Sequence, residues 1–361
     1  MPTMRPILLF SLLTLSVLSC SKKVVPSAHS QQGQSEIAQE FSSSESEHYN
    51  IMFYNVENYF DVDDNPNTVD EEFLPTGTRN WNKYRMYEKN NQIGKVIMAA
   101  GGWDIPVLVG LCEVESDAVG QLLTKASPIK DLNFGYLHQE SQDRRGIDVM
   151  LLYRKDYYTP IKTSFYPVEY PADPTFRSRD ILYSKGSLGG DTLHIFVNHW
   201  PSKYGGAMAT IPLRKAAALT LKKRTDSIMS ADPMAKIIIM GDLNDAAHEP
   251  SLIEALGAIR YQDDLPNGAL VNLAWPLVDA GLGSHKYQGN WDVIDHIIVS
   301  KGMLEGEGLS TTKDGMKLKA LDFLLEKDDR YLGMQPNRTY RGYTYHGGYS
   351  DHLPVMLEVS K

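Results

Sequence analysis

The chain has 361 residues, enough for one large domain or two ordinary ones, and 42% of them are hydrophobic, which is enough to build a sizeable core. Its formal net charge of −9 and its isoelectric point of about 5.6 argue against a protein that a broad basic surface holds on nucleic acid. They do not exclude an enzyme that grips a few phosphates at a metal site, because the metal supplies local positive charge.

The first 20 residues are typical of a targeting segment. Arg5 precedes an apolar run over residues 7–18, which is too short to span a membrane comfortably. The sequence VLSC (17–20) looks like a bacterial lipobox, so we expect cleavage before Cys20 and lipidation of its thiol; an ordinary signal peptide or a short anchor is the alternative. This interpretation predicts a lipid-anchored bacterial lipoprotein in the cell envelope, at the outer membrane, in the periplasm or on the cell surface.

Residues 21–48 are rich in Ser, Gln and Glu and poor in apolar residues. This composition predicts a flexible tether that leads to a folded domain over residues 49–361. If Cys20 is lipidated, Cys112 is the one remaining thiol, so an intramolecular disulfide is excluded. Cys112 lies inside an apolar run, which is more typical of a small core residue than of a nucleophile.

Four apolar segments predict buried strands, and each carries a polar residue where it ends. They are YNIMFYNV (49–56) with Asn55, DIPVLVGLC (104–112) before Glu113, TLHIFVN (192–198) before His199, and KIIIM (236–240) before Gly241 and Asp242. Taken singly, such an end is more typical of a turn, and a lone histidine is more often an interior residue. The repetition at four strand ends favours one shared site. Asp242 and Asn244 would point the same way in a strand-like continuation.

Helices are predicted over residues 81–100, 115–126 and 213–229, with a short one over 250–257. Three further strands are predicted over 149–153, 293–300 and 353–359, and residues 301–330 are a less determined, partly helical insertion. Polar residues at these strands could join the site. They are Asp148 before the first strand, Asp295 within the second, and Asp351 and His352 before the third. The carboxylate of Asp148 either has a partner inside the protein or is merely exposed at the start of its strand.

These segments, in this order, resemble the endonuclease/exonuclease/phosphatase superfamily, the relatives of pancreatic-type deoxyribonuclease and of the abasic-site endonucleases. The matching segments are NVEN (55–58), CEVE (112–115), RRGIDVMLLYR (144–154), NHWPSKYGG (198–206), GDLND (241–245), IDHIIVS (294–300) and YSDHLPV (349–355). The resemblance implies an α/β (α+β) four-layer sandwich, in which two mixed β-sheets pack face to face with helices on the outer faces. The alternation of buried strands and amphipathic helices agrees with this fold.

The resemblance also implies metal-assisted hydrolysis of a phosphoester. Glu113 and Asn55 would bind Mg²⁺ or Mn²⁺, and Asp351 would reach the same ion or its waters. Oxygen ligands without a cluster of Cys or His favour these metals over zinc. His352, held by Asp295, would take the proton from the attacking water, with Asp242 a rival for that role.

Other positions would support this chemistry. Asn244 and His199 would donate to phosphoryl oxygens, with Asp148 orienting His199. The remaining supporting or phosphate-binding positions are Glu57, Arg145 and Ser202. Residues 58–80, 165–190 and 301–340 carry no family signature, and substrate selectivity is expected to lie there.

These observations favour a secreted, lipid-anchored, Mg²⁺-dependent phosphodiesterase, and in particular a nuclease that acts on DNA or RNA. Basic residues beside the matching segments support this, namely Arg79, Arg85, Arg144, Arg145 and Lys203. A phosphatase or a phospholipid phosphodiesterase of the same superfamily is the alternative, and YRGYTYHGGY (340–349) would suit either a membrane-facing hairpin or base stacking. A non-catalytic surface-binding lipoprotein is a remote alternative, because the catalytic set is complete. A monomer is expected, and no protein partner can be inferred.

Overall fold

The computed structural model describes residues 47–361. The predicted signal peptide (1–20), its lipidation site Cys20 and nearly all of the predicted tether (21–48) lie outside the described residues. Residues Ser46–Lys361 form one compact unit. Within the described part of the chain, no helix is both long enough and apolar enough to cross a membrane.

The first of two large sheets has six strands. Their order is Met316–Leu318, Val355–Ser360, His48–Tyr59, Leu108–Val114, Asp148–Arg154 and Phe134–His138. The two central strands, His48–Tyr59 and Leu108–Val114, run parallel, and the other neighbours are antiparallel. Parallel neighbours end at the same edge of a sheet, so the residues that follow these two strands lie side by side.

The second large sheet has seven strands. Their order is Tyr158–Tyr166, Ile181–Leu188, Asp191–His199, Lys236–Asp242, Asp295–Ser300, Leu270–Asn272 and Ala258–Ile259. Here too a parallel pair, Asp191–His199 and Lys236–Asp242, lies at the centre. Small two-stranded sheets join the rest of the described chain, and they are His285–Tyr287 with Asn290–Asp292, Leu325–Lys327 with Met334–Pro336, and Tyr340–Arg341 with Thr344–Tyr345.

The described residues also form several helices. The α-helices are Lys83–Gly101, Asp117–Ala126, Ala207–Ala231, Trp275–Asp279 and Lys301–Glu305; Glu71–Phe73 and Asp322–Leu324 are 3₁₀-helices, and Ser251–Leu256 is a π-helix. The third α-helix begins before its predicted start at 213 and contains Pro212. Proline lacks the N–H that would bond the carbonyl of Met208 four residues earlier, so this helix lacks one hydrogen bond in its second turn.

Three buried clusters show how the layers stack. Between the two sheets, Ile51 and Phe53 of the first sheet belong to the same cluster as Ile195 and Ile238 of the second. Met52, which points to the opposite face, joins a cluster with the helices Lys83–Gly101 and Asp117–Ala126. A third cluster joins the outer face of the second sheet to the helix Ala207–Ala231. The predicted four-layer α/β sandwich is therefore confirmed.

Candidate active site

The site lies where the parallel strands of both sheets end. Asn55 and Glu113 belong to neighbouring strands of the first sheet, and His199 and Asp242 to neighbouring strands of the second. Asp295 pairs in register with Asp242, because the next strand is antiparallel and begins where its neighbour ends. The sequence pattern predicted that these ends converge, and they do so from the facing edges of two sheets.

Irregular backbone turns these side chains towards one another. The register between the two central strands of the first sheet shifts after Asn55 and Cys112, where residues are inserted as a bulge. Glu57, Asn58 and Glu113 have positive φ angles of 52°, 55° and 62°. β-Bulges and non-glycine residues with positive φ cost energy. They are concentrated at functional sites, where they change the direction of a side chain.

Asn55 lies at the centre of the cluster. Its Nδ2 donates to Asp242 Oδ2 at 3.0 Å and to Glu113 Oε1 at 3.4 Å, and lies 3.4 Å from His352 Nε2. Its Oδ1 accepts from the backbone N–H of Glu57 at 3.0 Å. Asn55 thus presents its NH₂ group to the carboxylates here, and coordination of a metal through Oδ1 requires the amide to turn.

His352 and Asp295 form a buried pair. His352 Nδ1 lies 2.8 Å from Asp295 Oδ2, and its Nε2 lies 3.8 Å from Asp242 Oδ2. Nδ1–H therefore donates to Asp295, and Nε2 faces the cluster. Burial disfavours the charged ring, but the carboxylates of Asp295 and Asp242 outweigh it and hold the pKa of His352 well above its usual range.

The carboxylate of Asp242 interacts with the ring of His352. Its Oδ1 accepts from the backbone N–H of Asn244 at 3.0 Å. Burial raises the pKa of Asp242 to about 7, although the His352 ring opposes the rise. His352 and Asp242 therefore interact strongly enough to hold a proton as a pair, and the structure keeps both as candidates for the base.

His199 is buried beside both carboxylates. Its Nε2 lies 3.7 Å from Asp242 Oδ2 and 3.9 Å from Glu113 Oε1. Burial, and then the charges of Arg179 and Arg145, hold its pKa well below the usual range, so the ring is neutral. The suggested orientation of His199 by Asp148 is wrong: Nδ1 of His199 has no hydrogen-bond partner in residues 47–361.

The carboxylate of Asp148 has a different partner. Its two oxygens accept from the backbone N–H of Ser141 at 3.2 and 3.1 Å, because the loop before the strand folds back over it. Burial raises the pKa of Asp148 to about 7. Asp148 therefore holds this loop in place, and the same loop carries Arg145, whose side chain is 51% exposed.

Asn244 and Ser202 do not lie where the sequence predicted them. The strand ends at Asp242, and Asn244 has a positive φ of 53°, so the predicted strand-like continuation is wrong. The Nδ2 of Asn244 donates to the carbonyl of Trp200 at 3.1 Å. Ser202 is exposed in the turn beyond Trp200, and its Oγ accepts from Tyr204 N–H at 3.4 Å. The structure does not bring Ser202 into the cluster around Asn55.

Two cations of the site, Arg338 and Lys89, were not predicted from the sequence. The Arg338 guanidinium donates to Glu57 Oε1 at 3.2 Å and to Asp351 Oδ2 at 2.8 Å. Lys89 is fully buried, and its Nζ donates to Thr339 Oγ1 at 2.6 Å and to the carbonyl of Tyr349 at 2.5 Å. Neither residue carried a signal, because Arg338 lies in a segment without a signature and Lys89 lies in an amphipathic helix.

The arrangement fits a hard divalent cation. Among the described residues, Glu113 and Asp242 have no Lys or Arg nitrogen within 4.0 Å, and the ring nitrogens near them belong to His199 and His352. His352 is already paired with Asp295 at 2.8 Å, so the two buried or partly buried carboxylates of Glu113 and Asp242 need a further cation. Carboxylate oxygens are the donors that Mg²⁺ and Mn²⁺ prefer, so Glu113, with Asn55 beside it, is suited to hold such an ion.

A cavity of about 840 Å³ opens beside Glu113. Asn58, whose backbone N–H donates to Glu113 Oε2 at 2.9 Å, forms part of its wall. The aromatic and basic residues in the wall are Phe60, Phe73, Arg79, Arg145 and Tyr343, and the acidic ones are Glu71 and Glu72, of which Glu72 pairs with Arg79 at 2.9 Å. Tyr343 is 68% exposed. The cavity therefore offers an exposed ring and the half-exposed guanidinium of Arg145, whose Nε lies 3.7 Å from Asp143 Oδ1, next to the candidate metal position.

The four-layer sandwich and this site together define a metal-dependent phosphoester hydrolase. The model of the Endonuclease/Exonuclease/phosphatase family matches residues 50–361, so the chain belongs to that family. The family and the enzyme class predicted from the sequence are confirmed.

Solved structures share this fold at low sequence identity, with 87% of this chain covered in each case. An endonuclease/exonuclease/phosphatase family protein from Bacteroides thetaiotaomicron is 13% identical, with a TM-score of 0.52 over 98% of its chain. TDP2 from D. rerio, complexed with single-strand DNA product, is 15% identical, with a TM-score of 0.50 over 99% of its chain. The human Nocturnin catalytic domain, with a bound sulfate anion, is 13% identical, with a TM-score of 0.50 over 97% of its chain. No curated protein sequence matches significantly.

Proposed function

We propose that the protein is a Mg²⁺-dependent phosphodiesterase that hydrolyses nucleic acid. The observation that carries this proposal is the contact of Asn55 with Glu113, Asp242 and His352, which joins a metal position to a proton-accepting pair. A bound divalent ion would polarise the phosphoryl group and stabilise the leaving oxygen. Mn²⁺ offers the same ligand chemistry and would substitute for Mg²⁺.

The protein's own groups would orient the substrate and move the proton. Glu113 and Asn55 would hold the ion, and Asp242 with His352 would take up the proton of the attacking water. Asp295 would keep Nε2 of His352 directed at the reacting atoms. The neutral ring of His199 and the amide of Asn244 would donate to phosphoryl oxygens as negative charge develops there.

The cavity beside Glu113 favours a nucleic acid over a lipid or a simple phosphomonoester. Exposed aromatic rings stack bases without regard to sequence, and a guanidinium pairs with backbone phosphate. Tyr343 and Arg145 offer these two contacts next to the candidate metal position. The likeness to TDP2, whose structure holds a single-strand DNA product, supports the same choice.

We also propose that the chain is a monomeric, secreted lipoprotein, anchored in the cell envelope through Cys20. This proposal rests on the sequence VLSC (17–20) and on the polar residues that follow it. Labelling of cells with a fatty-acid analogue should mark the wild-type protein and leave a Cys20→Ala variant unlabelled. Equal labelling of both would contradict the lipid anchor.

Hydrolysis with Mg²⁺ or with a chelator tests the enzymatic proposal. DNA, RNA, sphingomyelin, a phosphoinositide and a phosphomonoester would be offered in parallel. We expect chelator-sensitive cleavage of nucleic acid that Glu113→Gln abolishes and that Glu254→Gln, a change of an exposed glutamate, retains. Turnover of a phospholipid or a phosphomonoester alone would overturn the nucleic-acid substrate, and turnover unaffected by Glu113→Gln would overturn the site.

The cavity has its own test. Tyr343→Ala should raise KM for an oligonucleotide about tenfold, because stacking of a base on an aromatic ring contributes about 1–3 kcal/mol. It should leave hydrolysis of bis(p-nitrophenyl) phosphate unchanged, since that small diester does not need the cavity. Tyr157→Ala removes another partly exposed tyrosine and is the control. Equal loss on both substrates would contradict base stacking at Tyr343.

A further inference from the structure

A second pair of carboxylates lies beside Asn55, and the chain has already filled it with a cation. Nε and Nη2 of Arg338 both lie 3.2 Å from Glu57 Oε1, and Nη2 lies 2.8 Å from Asp351 Oδ2. Glu57 is 2% exposed, so its charge needs a partner inside the protein. The guanidinium takes the position between the two carboxylates that a bridging metal ion would take.

Lys89 completes the charge balance behind Arg338. Its Nζ donates to Thr339 Oγ1 at 2.6 Å, and the backbone N–H of Thr339 donates to Glu57 Oε2 at 2.6 Å. Arg338 contacts Glu57 and Asp351 directly, Lys89 reaches Glu57 through Thr339, and among the described residues no nitrogen of either cation lies within 4.0 Å of a Glu113 oxygen. The two carboxylates and the two basic side chains therefore balance in charge. This half of the site has no excess negative charge that a divalent ion would neutralise.

The other half of the site has the opposite balance. Glu113 and Asp242 have no Lys or Arg nitrogen within 4.0 Å among the described residues. Their near neighbours include the ring of His199, the uncharged amide of Asn55, and the ring of His352, which already pairs with the carboxylate of Asp295 at 2.8 Å. A divalent cation is therefore favoured at Glu113 and disfavoured at Asp351, where it would meet a guanidinium of like charge.

We propose that Arg338 is a built-in cation that occupies the Glu57–Asp351 position, so that the protein binds one divalent ion, at Glu113. Removal of the guanidinium would turn Glu57 and Asp351 into a second divalent-ion site. This proposal rests on the metal position of the proposed function, and it revises the expectation that Asp351 reaches the same ion as Glu113. Arg338 is a positioning residue, because it acts by fixing the two carboxylates.

The number of bound ions tests this proposal without any turnover. Mn²⁺ would be titrated into the purified protein and counted from the electron paramagnetic resonance signal of the free ion. We expect one ion for the wild type, two for Arg338→Ala and one for Arg338→Lys, which keeps the charge. Arg341→Ala removes a nearby arginine that pairs with Glu326 instead, and it should bind one ion.

A second substitution identifies the new ligands. Asp351→Asn in the Arg338→Ala background should return the count from two ions to one, and Glu113→Gln in that background should leave the new site filled. Arg338→Gln keeps a hydrogen-bond donor towards Glu57 and removes the charge, so it replaces Arg338→Ala if that variant fails to fold by circular dichroism. It should also bind two ions.

Three outcomes would overturn the proposal: two ions in the wild type, none in the wild type, or one ion in a folded Arg338→Ala or Arg338→Gln variant. The ion count separates this proposal from the proposed function. A wild type that binds one ion at Glu113 but cleaves no nucleic acid would contradict the substrate and leave the role of Arg338 standing. A wild type that binds two ions and cleaves nucleic acid would do the reverse.

Discussion

Asp295 determines which nitrogen of His352 faces the site. It is 1% exposed, and its Oδ2 lies 2.8 Å from His352 Nδ1. A buried carboxylate in this position fixes one tautomer and stabilises the ring once it is protonated. The two residues are 57 positions apart, so the contact itself depends on the packing of both sheets.

An Asp295→Asn substitution should lower kcat by about 10²–10⁴-fold, because the proton transfer through His352 loses its partner. KM and the thermal unfolding temperature should change little, since the amide keeps the shape and one hydrogen bond. Without the carboxylate, the pKa of His352 should fall, so the pH profile of kcat should move as well. Asp279→Asn, at an exposed position, is the control. An unchanged kcat would contradict the role of Asp295.

Residues at strand ends were predictable from the sequence, and the cations around them were not. Asn55, Glu113, His199 and Asp242 each follow an apolar run, so their pattern predicted a shared site. Lys89 is fully buried only because residues 339–349 fold over its helix, and no local pattern records that contact. Long-range packing of this kind is the part of the site that a sequence pattern leaves out.

At the scale of elements, the segment between the first strand and the helix Lys83–Gly101 is fixed by three acidic residues. Glu115 Oε2 accepts from the backbone N–H of Asp61 at 2.6 Å, and Oδ1 of buried Asp70 has no partner among the described residues. Burial, and then the charges of Asp61 and Asp70, raise the pKa of Glu115 to about 9. Glu115 is thus neutral at pH 7 and can donate to Asp70.

A Glu115→Gln substitution should therefore flatten the pH dependence of stability. The pKa of Glu115 is raised from 4.5 in the unfolded chain to about 9 in the folded one. The contribution of protonated Glu115 to the free energy of unfolding is therefore fully present below pH 4.5 and is lost as the pH rises towards about 9. The neutral amide keeps that contribution. The variant should match the wild type near about pH 4 and exceed its unfolding temperature at about pH 9. Parallel curves for the two proteins would contradict the neutral Glu115.

Elements with a plain apolar pattern were predicted, and the irregular ones were missed. The strand Tyr158–Tyr166 lies at the edge of its sheet, contains Pro160 and is half-exposed, so no run of apolar residues marks it. Its neighbour Ile181–Leu188 contains Gly186, where an added Cβ would lie 2.2 Å from the ring of Tyr158. Tyr158–Tyr166 pairs with Ile181–Leu188, which also pairs with Asp191–His199, and a short stretch of sequence does not record such pairing.

At the scale of the whole molecule, Gly110 controls how closely the two sheets approach. An added Cβ would lie 2.6 Å from the sulfur of Met240, which belongs to the opposite sheet. Protein interiors are close-packed, so an extra methyl group here must displace a side chain or the sheet itself.

Gly110→Ala should lower the free energy of unfolding by about 1–3 kcal/mol through overpacking. Met240→Ala should lower it by about 2–5 kcal/mol by leaving a cavity. The double variant should lose less than the sum of these values, because the new methyl group enters the space that Met240 leaves. Urea denaturation measures all three, and strict additivity would contradict the contact between Gly110 and Met240.

The layered architecture was predictable at this scale because buried strands alternate with amphipathic helices along the chain. The alternation does not give the order of strands in each sheet. Residues 301–340, which carried no family signature, supply the edge strand Met316–Leu318 and the residues around Arg338. Their placement depends on pairing with the last strand, which no local sequence pattern encodes.

The first and last strands of the domain are neighbours, since His48–Tyr59 pairs with Val355–Ser360. Asn55 and His352 meet across 297 positions of the chain. A ribosome releases a chain from its N-terminus, so a product that stops early lacks the segment that carries His352. The proposed metal position and the proposed proton-accepting pair therefore come together only after the segment that carries His352 has been synthesised and has packed against the first strand.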